Sequence, residues 1–329
     1  MMNCILAADI GGTKTLFQLS SQQGDVILEK EYVSQQFASF DLILTDFLSQ
    51  KQVSLHRIYS ACFAVAGPVS GRDATVTNLP WTLNADALAS QFELDYVHLC
   101  NDFEAVAYGI ACLDDEDVFT LQEGEEDTRA PRAIIGAGTG LGQALLLPNG
   151  DNWQVVATEG GHTDFAPTDR LQTLLLEHLI ERFGHVSYER VVSGVGLVTI
   201  YEFLRAYQQC DENGDLRQAM IKGDAGAAIS QFALEHEDPL ASEAIDMFIQ
   251  IYGAQAGNLA LTVSPKGGVY LAGGIAAKNI ERFKNGLFMQ AFNAKGRMRP
   301  LQERIPVRIV MQAKVGLLGA RLLAQQFTV

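Results

Sequence analysis

Three groups of residues in this chain are spaced for chemistry. Asn101-Asp102 follows the apolar run Val97 to Cys100. A carboxylate at the end of a buried strand is held rigidly, and at ~3 Å from a hydroxyl it can take that hydroxyl's proton. The same pair would also serve as a helix N-cap for the helical pattern that follows it. Asp9 stands just before Gly11-Gly12-Thr13, and a second glycine turn with a hydroxyl occurs at Gly138-Thr139-Gly140. Backbone N–H groups that converge with no Cβ in the way can bind a phosphate chain. Asp9 cannot bind phosphate itself but can hold a Mg²⁺ that does. Either turn alone is also what a tight hairpin needs. Finally, Glu159 and His162 flank Gly160-Gly161, so two polar side chains can reach one ligand from one turn. A solvated surface turn would read the same way. His162 has no Cys or second His at ligand spacing, which argues against a metal there.

The elements that must carry these residues follow from hydrophobic pattern. Ile5 to Ile10, the glycine turn and Leu16 to Leu19 read as strand, turn, strand. A helix is expected over Phe40 to Leu48, a buried strand over Tyr59 to Ala66, and a helix from an Asn84 cap to Phe92. Val97 to Cys100 is a strand and Ala105 to Cys112 helical. The acidic stretch Asp114 to Arg132 reads as a boundary. After it the opening arrangement recurs, with strands at Ala133 to Ile135 and Gln143 to Leu147 around the second glycine turn, as a weak internal repeat. Helices are expected at Leu171–Arg182, Leu197–Tyr207, Ala225–His236 and Leu240–Leu261. A strand Val269 to Ala272 leads into Gly273-Gly274. A last strand, Val307 to Met311, and a last helix, Leu317 to Gln326, are expected to return to the first domain. Gly253 and Gly257 suggest close helix–helix contact, and Cys62 and Cys100 read as core.

Composition narrows the function classes. With 329 residues and 48% hydrophobic content there is material for two cores. A formal charge of −15 repels nucleic acid. The N-terminus lacks a basic leader, no stretch reaches the ~20 apolar residues of a membrane helix, and five scattered cysteines fit free thiols in a reducing cytosol. A cytoplasmic protein is therefore expected. There is no GxxxxGK[ST], so no P-loop. Gly136, Gly138 and Gly140 fall out of dinucleotide register and lead into a strand, where that fold requires a helix.

Taken in order, Asp-Ile-Gly-Gly-Thr, Asn101-Asp102-Phe103, Gly-Ala-Gly-Thr-Gly-Leu-Gly, Glu159-Gly160-Gly161-His162, Ser187-Tyr188-Glu189-Arg190 and Leu-Ala-Gly-Gly-Ile resemble the bacterial glucokinases, within the actin, heat-shock and sugar-kinase superfamily. The resemblance spans Ile5 to Leu323. It implies an α/β fold of two actin-like, ribonuclease H-like ATPase domains flanking an interdomain cleft. Residues 1–112 with 305–329 would form the small domain, and 113–304 the larger, helix-rich one. It further implies ATP and Mg²⁺, D-glucose as acceptor, glucose 6-phosphate as product, and a homodimer. By matching positions, Asp102 is the implied base, and Asn101, Glu159, His162 and Glu189 sugar contacts. Asp9, Gly11, Gly12 and Thr13 form the first phosphate loop and Gly138, Thr139 and Gly140 the second, with Gly273 and Gly274 on the adenosine side. Lys14 and the Lys314-Val315 that precede Gly316 depart from the family pattern. No cysteine lies between His162 and Cys210, which disfavours the zinc-containing repressor and kinase group. Kinases of fructose, mannose or amino sugars, a non-catalytic sugar sensor and an assembly-forming ATPase are the alternatives. The first is not separable on sequence. The sensor lacks a basic segment before the first strand, and the assembly ATPase gives no reason for the sugar motifs.

Overall fold

The computed structural model describes residues 3–326. These residues cluster into two compact units, one of residues 3–114, Gly150–Val156 and 312–326, the other of Asp115–Asn149 and Ala157–Met311.

In chain order the first unit begins with strands β1 (Asn3–Ile10), β2 (Lys14–Ser21), β3 (Val26–Val33) and β4 (Arg57–Val65). Three short strands follow, β5 (Val69–Ser70), β6 (Asp73–Thr75) and β7 (Thr82–Asn84), which form a small sheet of their own, and then β8 (Tyr96–Asn101). The main sheet has the order β3-β2-β1-β4-β8. β1 is antiparallel to β2 and parallel to β4, and β4 is parallel to β8. Central strands must be covered on both faces, which is why β1 and β4 are apolar almost without a break. On one face lies the helix Phe40–Leu48, whose Phe40 and Phe47 stack on Phe17 of β2. On the other face, helices Asp102–Gly109 and Val315–Gln326 cover Ile5, Ala7, Cys62 and Ala64. The two helices approach so closely that a Cβ on Gly319 would strike the Ala105 carbonyl, and one on Gly109 the Val315 carbonyl.

The second sheet is built on β9 (Val118–Gln122), β10 (Arg132–Ala137), β11 (Leu141–Asn149), β12 (Asn152–Thr158), β13 (Val269–Ala272) and β14 (Val307–Val310), in the order β12-β11-β10-β13-β14-β9, and all but β12, whose residues up to Val156 cluster with the first unit, belong to the second unit. Its first five strands repeat the order of the first sheet. β10 is antiparallel to β11 and parallel to β13, as β1 is to β2 and β4. The internal repeat is thus one of topology. The long helix Pro239–Val263 is buried along most of its length, and Gly253 and Gly257 let the carbonyls of Phe288 and Phe292 sit against it.

Two readings of the pattern are corrected. The stretch Asp114 to Arg132 contains a strand, β9, whose side chains are all half-buried and so carry weak alternation. β14 does not accompany the last helix to the first sheet. Its residues Val307, Arg308 and Ile309 pair with both β13 and β9, and of the two only the helix Val315–Gln326 joins the first unit. Cys4, Cys62 and Cys100 are buried, Cys112 and Cys210 exposed, and all are free thiols. Among the described residues no helix is long and apolar enough to cross a membrane.

Candidate active site

In the first unit, parallel pairing sets Ile10, Val65 and Asn101 in one row across β1, β4 and β8. Asp9 and Asp102 therefore both lie at the carboxyl end of the sheet, where open α/β sheets bind ligands. Asn101 caps the helix Asp102–Gly109. Its Oδ1 accepts the Phe103 N–H at 2.9 Å, while its Nδ2 donates to the Gly67 carbonyl at 3.1 Å. The cap is thus Asn101, and Asp102 is the helix's first residue, its Oδ1 also 2.9 Å from the Phe103 nitrogen. Burial raises the Asp102 carboxyl above the usual range, against the lowering effect of the hydrogen bonds from Phe103 and Asn101. Burial, and then the charge of Asp102, push the Asp9 carboxyl up to about 6. A buried carboxylate whose ionised form is disfavoured in this way is favoured by a nearby cation or by a proton. A Cβ on Gly316 would lie 3.2 Å from Asp9 Oδ2, so this carboxylate sits against the first turn of the helix Val315–Gln326.

The first glycine turn is held from beneath. The Gly11 N–H donates to the Lys14 carbonyl at 2.9 Å. Ser34, fully buried, donates its N–H to the Thr13 carbonyl at 2.9 Å and its hydroxyl to the Gly11 carbonyl at 2.8 Å. The Thr15 hydroxyl is 2.9 Å from the Ser34 hydroxyl. The turn's carbonyls are thereby drawn inward. Lys14 instead pairs with Glu31 on the exposed surface of the sheet.

In the second unit, Glu159 precedes the short turn Gly160–His162, and Glu189 lies in a second turn, Tyr188–Arg190. The turns come together because the Tyr188 N–H donates to the Thr163 carbonyl at 2.9 Å and the Tyr188 ring is buried edge-on to Phe165. His162 Nε2 is 3.8 Å from Glu159 Oε2, and His162 Nδ1 is 3.9 Å from Glu189 Oε1. These separations exceed a hydrogen bond, so the three side chains keep capacity for hydroxyl groups of a ligand. Gly161 is sterically required, and Gly160 is tightly packed. A Cβ on Gly161 would strike the Leu141 carbonyl, and one on Gly160 the Gln143 side chain.

Beside this cluster in the same unit is a pocket of about 560 Å³, of the size that takes small molecules. Gly138 and Thr139 line one side, Gly274 and Lys278 another, and Val195 and Leu234 supply apolar wall. Gly273, at φ 81°, brings its backbone against Ala137, which no residue with a Cβ could do. The helix Gly194–Gln208 starts at the pocket, capped by Ser193, and such an N-terminus favours an anion.

The structure therefore assembles Asp9, Gly11, Gly12, Thr13, Asn101 and Asp102 in one unit. It assembles Gly138, Thr139, Gly140, Glu159, His162, Glu189, Gly273 and Gly274 in the other. Sequence reasoning missed Ser34, which acts through a pairing of β2 with β3 that no local pattern announces, and the pocket walls at Val195 and Leu234. Those helices were foreseen, but exposure of an apolar residue on them was not legible. Among the described residues no cluster of three or more His, Cys, Asp or Glu is placed to hold a metal.

The family model described as glucokinase matches residues 6–327. The glucokinase of Trichormus variabilis is 44% identical, with 98% of this chain and 99% of that one covered. The crystal structure of a glucokinase from an Antarctic psychrotroph superposes with a TM-score of 0.85 at 29% identity, over 99% of this chain and all of that one (100%). A ROK family glucokinase from Streptomyces griseus, solved in complex with glucose and AMPPNP, shares the fold at TM-score 0.66 and 21% identity, covering 98% and 99% of the two chains.

Proposed function

The chain belongs to the glucokinase family, and on that premise we propose that it transfers the γ-phosphoryl group of ATP to the 6-hydroxyl of D-glucose, with Asp102 as the base. The observation that carries the assignment is the position of Asp102. It is a desolvated carboxylate of raised proton affinity at the carboxyl end of β8, fixed by the capped helix it begins. As the hydroxyl oxygen attacks the γ-phosphorus and the bond to the β-phosphate oxygen breaks, the hydroxyl proton passes to Asp102 and ADP leaves. Phosphoryl transfer asks little more than this of the protein beyond positioning and charge neutralisation.

Positioning of the sugar falls to Asn101, Glu159, His162 and Glu189. Asn101 and Glu189 are half-buried and Glu159 and His162 exposed; polar groups that match hydroxyls one by one disfavour an analogue lacking one, because a partner is left unpaired. The pocket from Gly138 to Gly274 takes adenosine, and the two glycine turns take phosphates through backbone N–H groups. The residues fit a magnesium ion. Asp9 offers a hard oxygen ligand whose ionised form Asp102 disfavours until a cation arrives. When bound, Mg²⁺ supplies neutralisation of the phosphate charge. A homodimeric state and a cytoplasmic location belong to the same proposal, and so does the reading of the two units as the small and large domains of a kinase.

A coupled ATP assay over a panel of hexoses tests this on wild type and Asp102→Asn. Glucose is expected to be preferred. The variant is expected to lose about 10²–10⁴-fold in kcat while still binding glucose. Intact glucose turnover in Asp102→Asn removes the residue from its role.

A further inference from the structure

We propose that the Glu189 carboxylate is the latch of the second glycine turn, so that a sugar held at Glu189 and a polyphosphate held at Gly138–Gly140 bind the second unit as coupled ligands. The inference rests on the reading of Glu189 as a sugar contact and of the turn as a phosphate loop, and it adds a physical link between them.

The link is visible at both ends of the turn. Glu189 Oε2 accepts the Leu141 N–H at 2.9 Å, just past the last glycine. The Glu189 carbonyl accepts the Ser193 hydroxyl at 2.8 Å, Ser193 caps the helix that follows, and the Gly194 N–H donates to the Gly138 carbonyl at 2.8 Å. Residues 189–194 therefore grip the turn before its first residue's carbonyl can rotate and after its last. Within the turn, the Gly138 N–H donates to the Gly140 carbonyl at 2.9 Å. A second observation points the same way. A Cβ on Gly140 would lie 2.5 Å from Glu189 Oε2. Its backbone is not in the left-handed region, since it is absent from the positive-φ glycines, so the space for this glycine is set by the sugar carboxylate.

The remaining oxygen, Oε1, is 3.9 Å from His162 Nδ1, and the Glu189 side chain is 33% exposed. One oxygen of the carboxylate is thus anchored, and the other is beyond hydrogen-bond distance of His162. A hydroxyl donated to Oε1 fixes its plane, and with it the direction of the Leu141 N–H and the shape of the turn. Coupling of this kind is reciprocal in binding free energy.

The test is calorimetry on the full chain, with D-glucose titrated without nucleotide and MgADP titrated with and without glucose. Wild type is expected to bind MgADP about fivefold or more tightly when glucose is present. In Gly140→Ala the new methyl must displace the far end of a flexible side chain, so the fold stands. Glucose affinity without nucleotide is expected to fall about tenfold or more, as for loss of a hydrogen bond to a charged group. Its coupling to MgADP should vanish. Ser193→Ala, which loosens the strap without touching the carboxylate, is expected to reduce the coupling. It decides alone if circular dichroism shows Gly140→Ala unfolded. Independent binding of glucose and MgADP by wild type, or wild-type glucose affinity in Gly140→Ala with wild-type coupling in Ser193→Ala, overturns the latch. Absence of any glucose binding by wild type overturns the reading beneath it instead.

Discussion

Asp9 should be a residue that the fold would be better off without. Its carboxyl is raised to about 6 by burial first and by Asp102 second. The ordinary value is near 4, so the shift is roughly two units, and at ~1.4 kcal/mol each the ionised side chain destabilises the native state by up to about 3 kcal/mol. The sign follows from proton counts. A folded-state value above the unfolded one means that the native state binds more protons between about pH 4 and 6. Stability contributed by protonated Asp9 is therefore lost as pH rises through that window and does not change further above it. Asp9→Asn keeps the shape and removes the charge. Relative to wild type it should be of equal stability near pH 4 and more stable by about 2–3 kcal/mol above pH 7. Both tryptophans, Trp81 and Trp153, lie in the first unit, so urea unfolding followed by their fluorescence reports on the part that contains the change. The same variant should lose turnover, since the carboxylate that burdens the fold is the one assigned to the metal. A stability difference that does not vary with pH, or a variant less stable at pH 8, would refute the argument.

Two further outcomes are expected. Ser34→Ala removes the hydroxyl that holds the Gly11 carbonyl. It should raise the KM for ATP by about three- to tenfold, with kcat and glucose affinity little changed, as initial rates over an ATP series would show. Gly319→Ala sets a methyl against the Ala105 carbonyl in a contact with no flexible partner. It should destabilise the first unit by about 2 kcal/mol or more in thermal unfolding, or block its folding.

What could be read from residue order was local. The helix Phe40–Leu48 and the strand Val269–Ala272 appear at their expected ends, because hydrophobic period and flanking turns decide them. Asn84 caps the helix Ala85–Gln91 as its type predicts. The turn from Glu159 to His162 could be found because its two polar residues are three positions apart in sequence. That Glu189 joins them, however, depends on backbone pairing between Thr163 and Tyr188, and only the family resemblance pointed to it. β9 escaped notice because acidic residues surround it and both of its faces are half-covered. β14 was sent to the wrong sheet because a short, mainly apolar strand says that it is buried and nothing about beside whom. Ser34 was invisible because a small polar residue after a strand is ordinary until its partners are known.

The repeated hairpin carries a final consequence. Register matches Ile10 to Ala137 as the last residue before each turn, each pairing across to the far side of its hairpin. The residue one step earlier is Asp9 in the first copy and Gly136 in the second. One frame thus exists in an acidic edition and a bare one. The carboxylate adds negative charge beside the N–H groups of its own turn, and the glycine leaves those of the other turn unopposed. The twins are alike in frame and unlike in charge, so each turn would meet an anion on different terms.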